Sequence, residues 1–430
     1  MKSSPSVLLA SGSASGTLAA VRALGKNGID ASILSSEPLS AAAWSRWASR
    51  SYSAPPETDT DRFLTRLISI GAKHAGQILL PTSDETTWLY TANADVLAKH
   101  FNLYQPAFST VQKILDKGLL AAAATEAGLP VVPSWYPSST NDLNALAPTL
   151  PYPILIKPRT HVHRLRNDKG VVVQSADELS DQYEQFIDRE QTQISMNGGF
   201  PILQQFIDVG GRGVLSVTGF IDRAGKYFVT RHATKIFQRS QPVGVGVCFE
   251  SSSTDAALSE AVRRLCNSLG YFGIFEVEFL WFKGSWAAID FNPRLYNQVA
   301  MDIRRGMPLP LLACLDAADE RAALHRAIIK AQEDETQDNI VFCDRFTLSA
   351  TLCALALTSR ISRRDYAYWR SWTRQNAQNM VDAAKDSGDW MPGLIHAASE
   401  VGLGLKAFPR FLRATPRRHS KERNFGSALP

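Results

Sequence analysis

A chain of 430 residues, 45% hydrophobic and 20% charged, is too long for one small core and implies two to four domains or subdomains of ordinary globular composition. Its formal charge of +5 is unevenly placed: residues 401–430 hold seven Lys and Arg against Glu422 alone, a net +6, which leaves −1 for the rest. A near-neutral body with a basic tail argues against a nucleic-acid binder, which would be basic throughout. Five scattered cysteines without a CxxC pair argue against a disulfide framework or a zinc site and point to reduced thiols in the cytoplasm. No stretch reaches the ~18 consecutive apolar residues of a membrane span, and "SVLLAS" near the start is too short for a signal peptide core.

In chain order, residues 1–105 alternate strand-like and helix-like segments: "SVLLAS", the Ala-rich "TLAAVRALGKNG", "DASILSSE", "FLTRLISIGAKHAG" and "QILLPTSDE". This is βαβ patterning and predicts a parallel, Rossmann-like sheet. The turn from Ser11 through Gly12 to Gly16, with Glu37 ending the second strand, looks like a dinucleotide fingerprint. It lacks the full G-x-G-x-x-G, and a tight strand–helix turn wants glycine for structural reasons too.

Residues 106–200 open with apolar positions at helical spacing from Val111, stopped by Gly128-Leu129-Pro130. "YPILIKPRTHVHRLRNDKGVVVQS" follows, an apolar strand ending in Lys157-Pro158, a long basic loop and a second strand. A lysine ending a buried strand is costly unless it meets an anion. Lys117, just before a helix, is a second candidate cation. Residues 201–330 add a strand, a glycine-rich bend, a hairpin turning at Asp222-Arg223-Ala224-Gly225, and the helix "ALSEAVRRLCNSLG".

The most informative stretch is "GIFEVEFLWFKGSWAAIDFNPRLYNQ", residues 273–298. A three-residue loop at Lys283-Gly284-Ser285 would pair Phe282 with Trp286, Glu278 with Asp290 and Glu276 with Asn292. Side-chain alternation then puts Val277, Phe279, Trp281, Ala287, Ile289 and Phe291 on a core face and the acids on the other, with Arg294 in phase. Like charges directly opposed are destabilising. A divalent cation would relieve them, since Mg²⁺ is typically held by one or two carboxylates plus substrate phosphates. The bland alternative is a solvent face whose acids are spread by water. From about residue 340 the texture turns helical and rich in Arg and Trp, after an acidic linker at 332–339.

The order Lys117, Lys157, Glu-x(11)-Asp-x-Asn-Pro-Arg resembles the ATP-grasp superfamily of carboxylate–amine ligases and the carbamoyl-phosphate synthetase large chain, over roughly residues 1–320. The resemblance implies a Rossmann-like preceding domain at 1–105 and ATP-grasp subdomains at 106–200 and 201–330; the helical texture and the charge, not the resemblance, give a helical C-terminal region with a basic tail at 340–430. It implies ATP and Mg²⁺ (or Mn²⁺) as cofactors. Lys117 and Lys157 would meet ATP phosphates, and Gln204, Gln205, Phe206, Ile207 and Asp208 would form the adenine-side hinge. Glu278, Asp290 and Asn292 would be the metal ligands. Arg294 would steady the acyl phosphate or its adduct, and Arg231 and Lys235 would be substrate-side cations. Gln204 stands where the family usually has Glu, and the basic loop "RTHVHRLRNDKG" stands where a small glycine-rich one is usual.

The implied chemistry is transfer of the γ-phosphoryl of ATP to a small carboxylate, then displacement by an amine, with positioning and charge neutralisation doing most of the catalysis. Competing readings are a bicarbonate-using carboxylase of the same fold, a non-catalytic ATP-binding protein, and a nicotinamide-dependent oxidoreductase, which leaves the acidic hairpin unexplained. The C-terminal region suits a packed cap or a homodimer face. Its tail also suits peripheral contact with an anionic membrane.

Overall fold

The computed structural model describes residues 5–162, 169–189, 199–209, 213–239, 243–334 and 339–413, of which 405–413 are described by their backbone alone. The basic tail beyond Arg413 and residues 163–168 of the loop after Lys157 fall outside the described residues.

Strands β1 (Ser6–Leu9), β2 (Asp30–Ser35), β3 (Ala48–Ser53), β4 (Ile78–Leu80) and β5 (Asn102–Leu103) form a parallel sheet in the order β3-β2-β1-β4-β5, as the alternating pattern predicts. Helices cover both faces, which is why β1 is a continuous apolar run rather than an alternating one. Val7 and Leu9 enter one core with the Ser15–Lys26 helix, while Leu8 enters another with Phe63, Leu67 and Tyr90.

The glycine turn after β1 has a structural occupant. A Cβ on Gly16 would lie 2.6 Å from the carbonyl oxygen of Tyr296, and Ser15 Oγ donates to the carbonyl of Asn297 at 3.3 Å. The start of this helix is thus packed against the chain leaving the acidic hairpin, where a dinucleotide phosphate would have to sit. The fingerprint is a close-approach turn.

A second, antiparallel sheet has the order β6-β9-β7-β8, from β6 (Ser134–Trp135), β7 (Ile154–Lys157), β8 (Val171–Val173) and β9 (Ile202–Gln205). Its own core joins Ile154, Ile156, Val173 and Leu203 to Tyr183 and Phe186 of the Ala176–Arg189 helix. The third sheet has seven strands: β10 (Val214–Ile221), β11 (Phe228–Arg239), β12 (Val245–Ser252), β13 (Gly273–Phe282), β14 (Ser285–Asn292), β15 (Val341–Cys343) and β16 (Met380–Asp382), in the order β14-β13-β10-β11-β12-β15-β16. One face, with Val217, Phe275, Val277, Phe279 and Phe291, packs on the Ala256–Leu269 and Lys117–Glu126 helices. The alternate residues of the same strands make the other face.

Two expectations about this unit need correction. The apolar spacing from Val111 to Gly128 reads as one helix, but the chain breaks at Asp116 into Phe108–Leu115 and Lys117–Glu126. The Asp116 carboxylate accepts the amides of Gly118 and Leu119, a capping arrangement that starts a new helix at Lys117. The C-terminal region is not purely helical either. Residues Val341–Cys343 and Met380–Asp382 extend the large sheet, with β15 antiparallel to β12 and β16 parallel to β15.

The C-terminal region also grips the first domain. Arg22 Nε meets Asp389 Oδ2 at 2.8 Å in a buried pair, and Asp389 additionally accepts Ser45 Oγ at 2.7 Å and the Arg46 amide at 2.9 Å. Asp389→Ala strands the Arg22 charge in the interior and is expected to cost about 3–5 kcal/mol. Urea unfolding of the full chain checks this, and a change within error would show the grip to be ornamental.

Candidate active site

The site is built on the polar face of the large sheet, where it meets the end of β7 and the edge of the first domain. In the β13–β14 hairpin Glu278 pairs with Asp290 and Glu276 with Asn292, the register that alternation predicts. The loop differs. It is two residues, Lys283 and Gly284, at φ +49° and +86°, and Phe282 pairs with Ser285. Positive φ at both central residues suits the primed hairpin turn. A register shift between Glu278 and Phe279 sets Ile289 out of the ladder and restores the pairing at the acids. The bulge removes Ile289 from the core face, and Ala288 takes its place opposite Phe279. The carbonyl freed at Ile289 accepts Lys157 Nζ at 3.4 Å.

Each of the two acids at the tip has a lysine. Asp290 Oδ1 lies 2.8 Å from Lys117 Nζ, and Glu278 Oε1 lies 2.8 Å from Lys235 Nζ. His161 Nε2, from the loop after β7, lies 3.4 Å from Asp290 Oδ2. Burial works against ionising Asp290, but Lys117 and His161 beside it hold its carboxyl well below the usual range. Burial pushes His161 down to about 3, so the imidazole is neutral. Burial and the neighbouring Lys117 lower Lys157 to about 7; its ammonium donates to Gln204 Oε1 at 3.1 Å. Burial also opposes the Lys235 charge, yet Glu278 prevails and raises it.

One row deeper, Glu276 accepts Ser216 Oγ at 2.9 Å, Asn292 Nδ2 at 2.9 Å and the Gln298 amide. Burial and the Glu278 charge push it up to about 7. Arg294 spans to the first domain: Nε donates to Asp84 Oδ1 at 2.8 Å, Nη2 to Asn292 Oδ1 at 3.0 Å and Nη1 to the carbonyl of Leu295 at 3.0 Å. Asp84 stands at the start of the Asp84–Ala92 helix, where Ser83 forms a capping box with Thr86.

The structure therefore brings together Lys117, Lys157, Lys235, Gln204, Glu278, Asp290, Asn292 and Arg294. Gln205 ends β9, and Phe206, Ile207 and Asp208 follow it; the amides of Gln205 and Phe206 donate to the carbonyls of Pro133 and Pro153. Arg231 is the exception. It is buried on β11 with its guanidinium donating to the carbonyls of Thr230, Arg305 and Ala331, which makes it a tie between strand and helices rather than a substrate-side cation.

Sequence reasoning missed His161, Asp84 and Lys169, whose ammonium is held low by burial and interacts with Asp290 and Asp84. The first and third sat inside the basic loop already noticed, but only folding shows which basic residues turn inward. Among the described residues no group of three or more His, Cys, Asp and Glu forms a closed metal site. Two opposed carboxylates, each neutralised by a lysine, are the donor set of a Mg²⁺ site completed by phosphate oxygens, so the residues fit that ion together with a nucleotide.

Solved structures with this architecture are ATP-grasp proteins. Biotin carboxylase from Campylobacter jejuni, as its β,γ-ATP complex, is 18% identical, with a TM-score of 0.60 over 73% of this chain and 70% of that one. The biotin carboxylase domain dimer of Hydrogenobacter thermophilus 2-oxoglutarate carboxylase, with MgADP, ADP and bicarbonate, is 16% identical, with a TM-score of 0.59 over 72% and 69%. N5-carboxyaminoimidazole synthetase from Staphylococcus aureus is 16% identical, with a TM-score of 0.56 over 74% and 78%. The chain has the ATP-grasp fold. No protein-family model matches it, and no curated protein sequence matches it either.

Proposed function

We propose that this chain is an ATP-dependent carboxylate–amine ligase that activates a small carboxylate as its acyl phosphate and joins it to an amine, releasing ADP and phosphate. The observation that carries this reading is the pairing of each tip acid with its own lysine, Asp290 with Lys117 and Glu278 with Lys235, in one polar pocket with Lys157. A triphosphate with its cation exchanges partners with this set without leaving any charge bare: the lysines turn to phosphate oxygens, and the carboxylates become free to bind metal. Mg²⁺ or Mn²⁺, held by Glu278, Asp290 and Asn292, would supply positive charge to the phosphate oxygens.

The chain's own residues do the rest. Lys117 and Lys157 neutralise phosphate and fix its orientation, and the 204–208 hinge holds the base. Arg294, locked by Asp84 and Asn292, presents an oriented guanidinium to charge developing on the acyl group. Phosphate release screened over carboxylates and amines with Mg-ATP tests the reading; turnover is expected only when both are present. The bicarbonate-bound Hydrogenobacter domain favours one rival, a carboxylase. Bicarbonate-dependent, amine-independent ADP release would establish that rival, and ATP binding with no turnover would mark a non-catalytic protein. The same domain is a dimer, and a homodimer of this chain belongs to the proposal, checked by analytical ultracentrifugation.

A pH dependence follows from Lys157. At about 7 its ammonium is half deprotonated near neutrality, and phosphate would stabilise the charged form. Binding above pH 7 must therefore take up a proton, so ATP affinity falls as pH rises, tending to about tenfold per pH unit. Calorimetry in two buffers of different ionisation heat should report uptake approaching one proton at pH 8. Lys157→Met should bind weakly with no such slope.

A further inference from the structure

Two buried thiols lie outside the proposed site. Cys248 on β12 and Cys343 on β15 are directly opposed in the ladder, both wholly buried, with Sγ atoms 3.4 Å apart. The ladder's hydrogen bonds decide what kind of pair this is. The Ser251 amide donates to the carbonyl of Ile340, and the Asp344 amide donates to the carbonyl of Val247. In an antiparallel ladder hydrogen-bonded and non-hydrogen-bonded pairs alternate. Val247 with Asp344 is thus of the bonded kind, and Cys248 with Cys343, one step in, is of the other. Non-bonded pairs bring Cα atoms to about 4.5 Å, inside the roughly 4.4–6.8 Å that a disulfide spans.

We propose that Cys248 and Cys343 are a redox-active pair that closes into an intrachain disulfide joining β12 to β15. A small-molecule disulfide such as oxidised glutathione is the oxidant. The Cys343 sulfur, having lost its proton, attacks one glutathione sulfur and expels the other as a thiolate. The Cys248 sulfur, likewise deprotonated, then displaces the bound glutathione. Two protein thiols are oxidised, and one glutathione disulfide becomes two thiols. Access comes from the edge: β15 and β16 are three residues each and end the sheet, so they open with few hydrogen bonds lost. Leu348, Trp369 and Trp372 cover the pair when the strands are closed. The bond encloses the β13–β14 hairpin within its loop and fastens the strand by which the C-terminal region enters the sheet.

The experiment uses the full chain incubated with oxidised glutathione, denatured in N-ethylmaleimide, digested and mapped. A Cys248–Cys343 cross-linked peptide is expected, with an intact mass lower by about 2 Da in the Cys353→Ser chain before alkylation and a rise in Tm reversed by dithiothreitol. Cys248→Ser should abolish all of these, while Cys353→Ser, at the exposed thiol, should leave them. Recovery of both cysteines alkylated, under conditions that glutathionylate Cys353, overturns the proposal. So does a disulfide from Cys343 to any other cysteine. The mapping is done on the unaltered chain, so a variant that fails to fold does not decide the matter.

Discussion

Asp290→Asn is expected to lower ATP-dependent phosphate release by about 10²–10³-fold, the size of effect seen when one preorganised charge-stabilising group is removed. The argument has two parts. Asp290 is the acid on which the pocket converges, with the Lys117 ammonium at 2.8 Å and the neutral His161 imidazole at 3.4 Å, and the amide keeps the shape while removing the charge a cation needs. The substitution also leaves the Lys117 ammonium, whose side chain is 5% exposed, without a counter-charge. Breaking a buried pair in this way costs about 3–5 kcal/mol of stability. The two effects separate in the double variant Lys117→Met/Asp290→Asn, which should recover much of the lost Tm and remain inactive. Metal binding offers a second readout. Without nucleotide, Lys117 and Lys235 compete with Mg²⁺ for the carboxylates, so the ion alone should bind weakly and ATP should strengthen it sharply. Wild-type turnover by the single variant would remove Asp290 from the chemistry.

Arg294→Lys is expected to lower kcat by about 10²-fold while leaving ATP affinity close to wild type. Lysine keeps the charge but loses the fork, and the fork is what Arg294 uses: one nitrogen reaches Asp84, another Asn292 and a third the Leu295 carbonyl. Burial opposes the Asp84 charge, but the guanidinium holds its carboxyl below the ordinary range. The conservative variant is preferred to Arg294→Ala because it leaves Asp84 a partner. A split between an unchanged nucleotide Kd and a depressed kcat identifies a group acting on the reacting end of the substrate. Equal losses in both would instead show that Arg294 merely holds the first domain against the hairpin.

Much of the site was legible because it lies on one hairpin and two strand ends. The pairing of Glu278 with Asp290 follows from alternation and the short turn at Lys283-Gly284. It survives an error in loop length because the bulge at Ile289 offsets it. Lys157 was legible as a cation that a buried strand has no reason to end on. Arg231 shows the limit. The family resemblance of its strand made it a candidate together with Lys235, yet its guanidinium is spent on three carbonyls, two of them contributed by residues 74 and 100 positions away. Nothing in the local spacing registers that.

The sequence by itself determined the parallel first sheet, the antiparallel hairpins, the face on which the acids stand and the order of cations and acids along the chain. These depend on side-chain periods of two and 3.6 residues and on turn chemistry, which act over a few residues. Only the tertiary structure decided which lysine meets which acid, that Asp84 from the first domain locks Arg294 across 210 positions of sequence, and that Cys343 enters the large sheet beside Cys248. Those are encounters between segments distant in the chain. They are settled by the packing of whole sheets and helices and by the need of every buried charge for a partner, conditions that arise only once the chain has closed on itself.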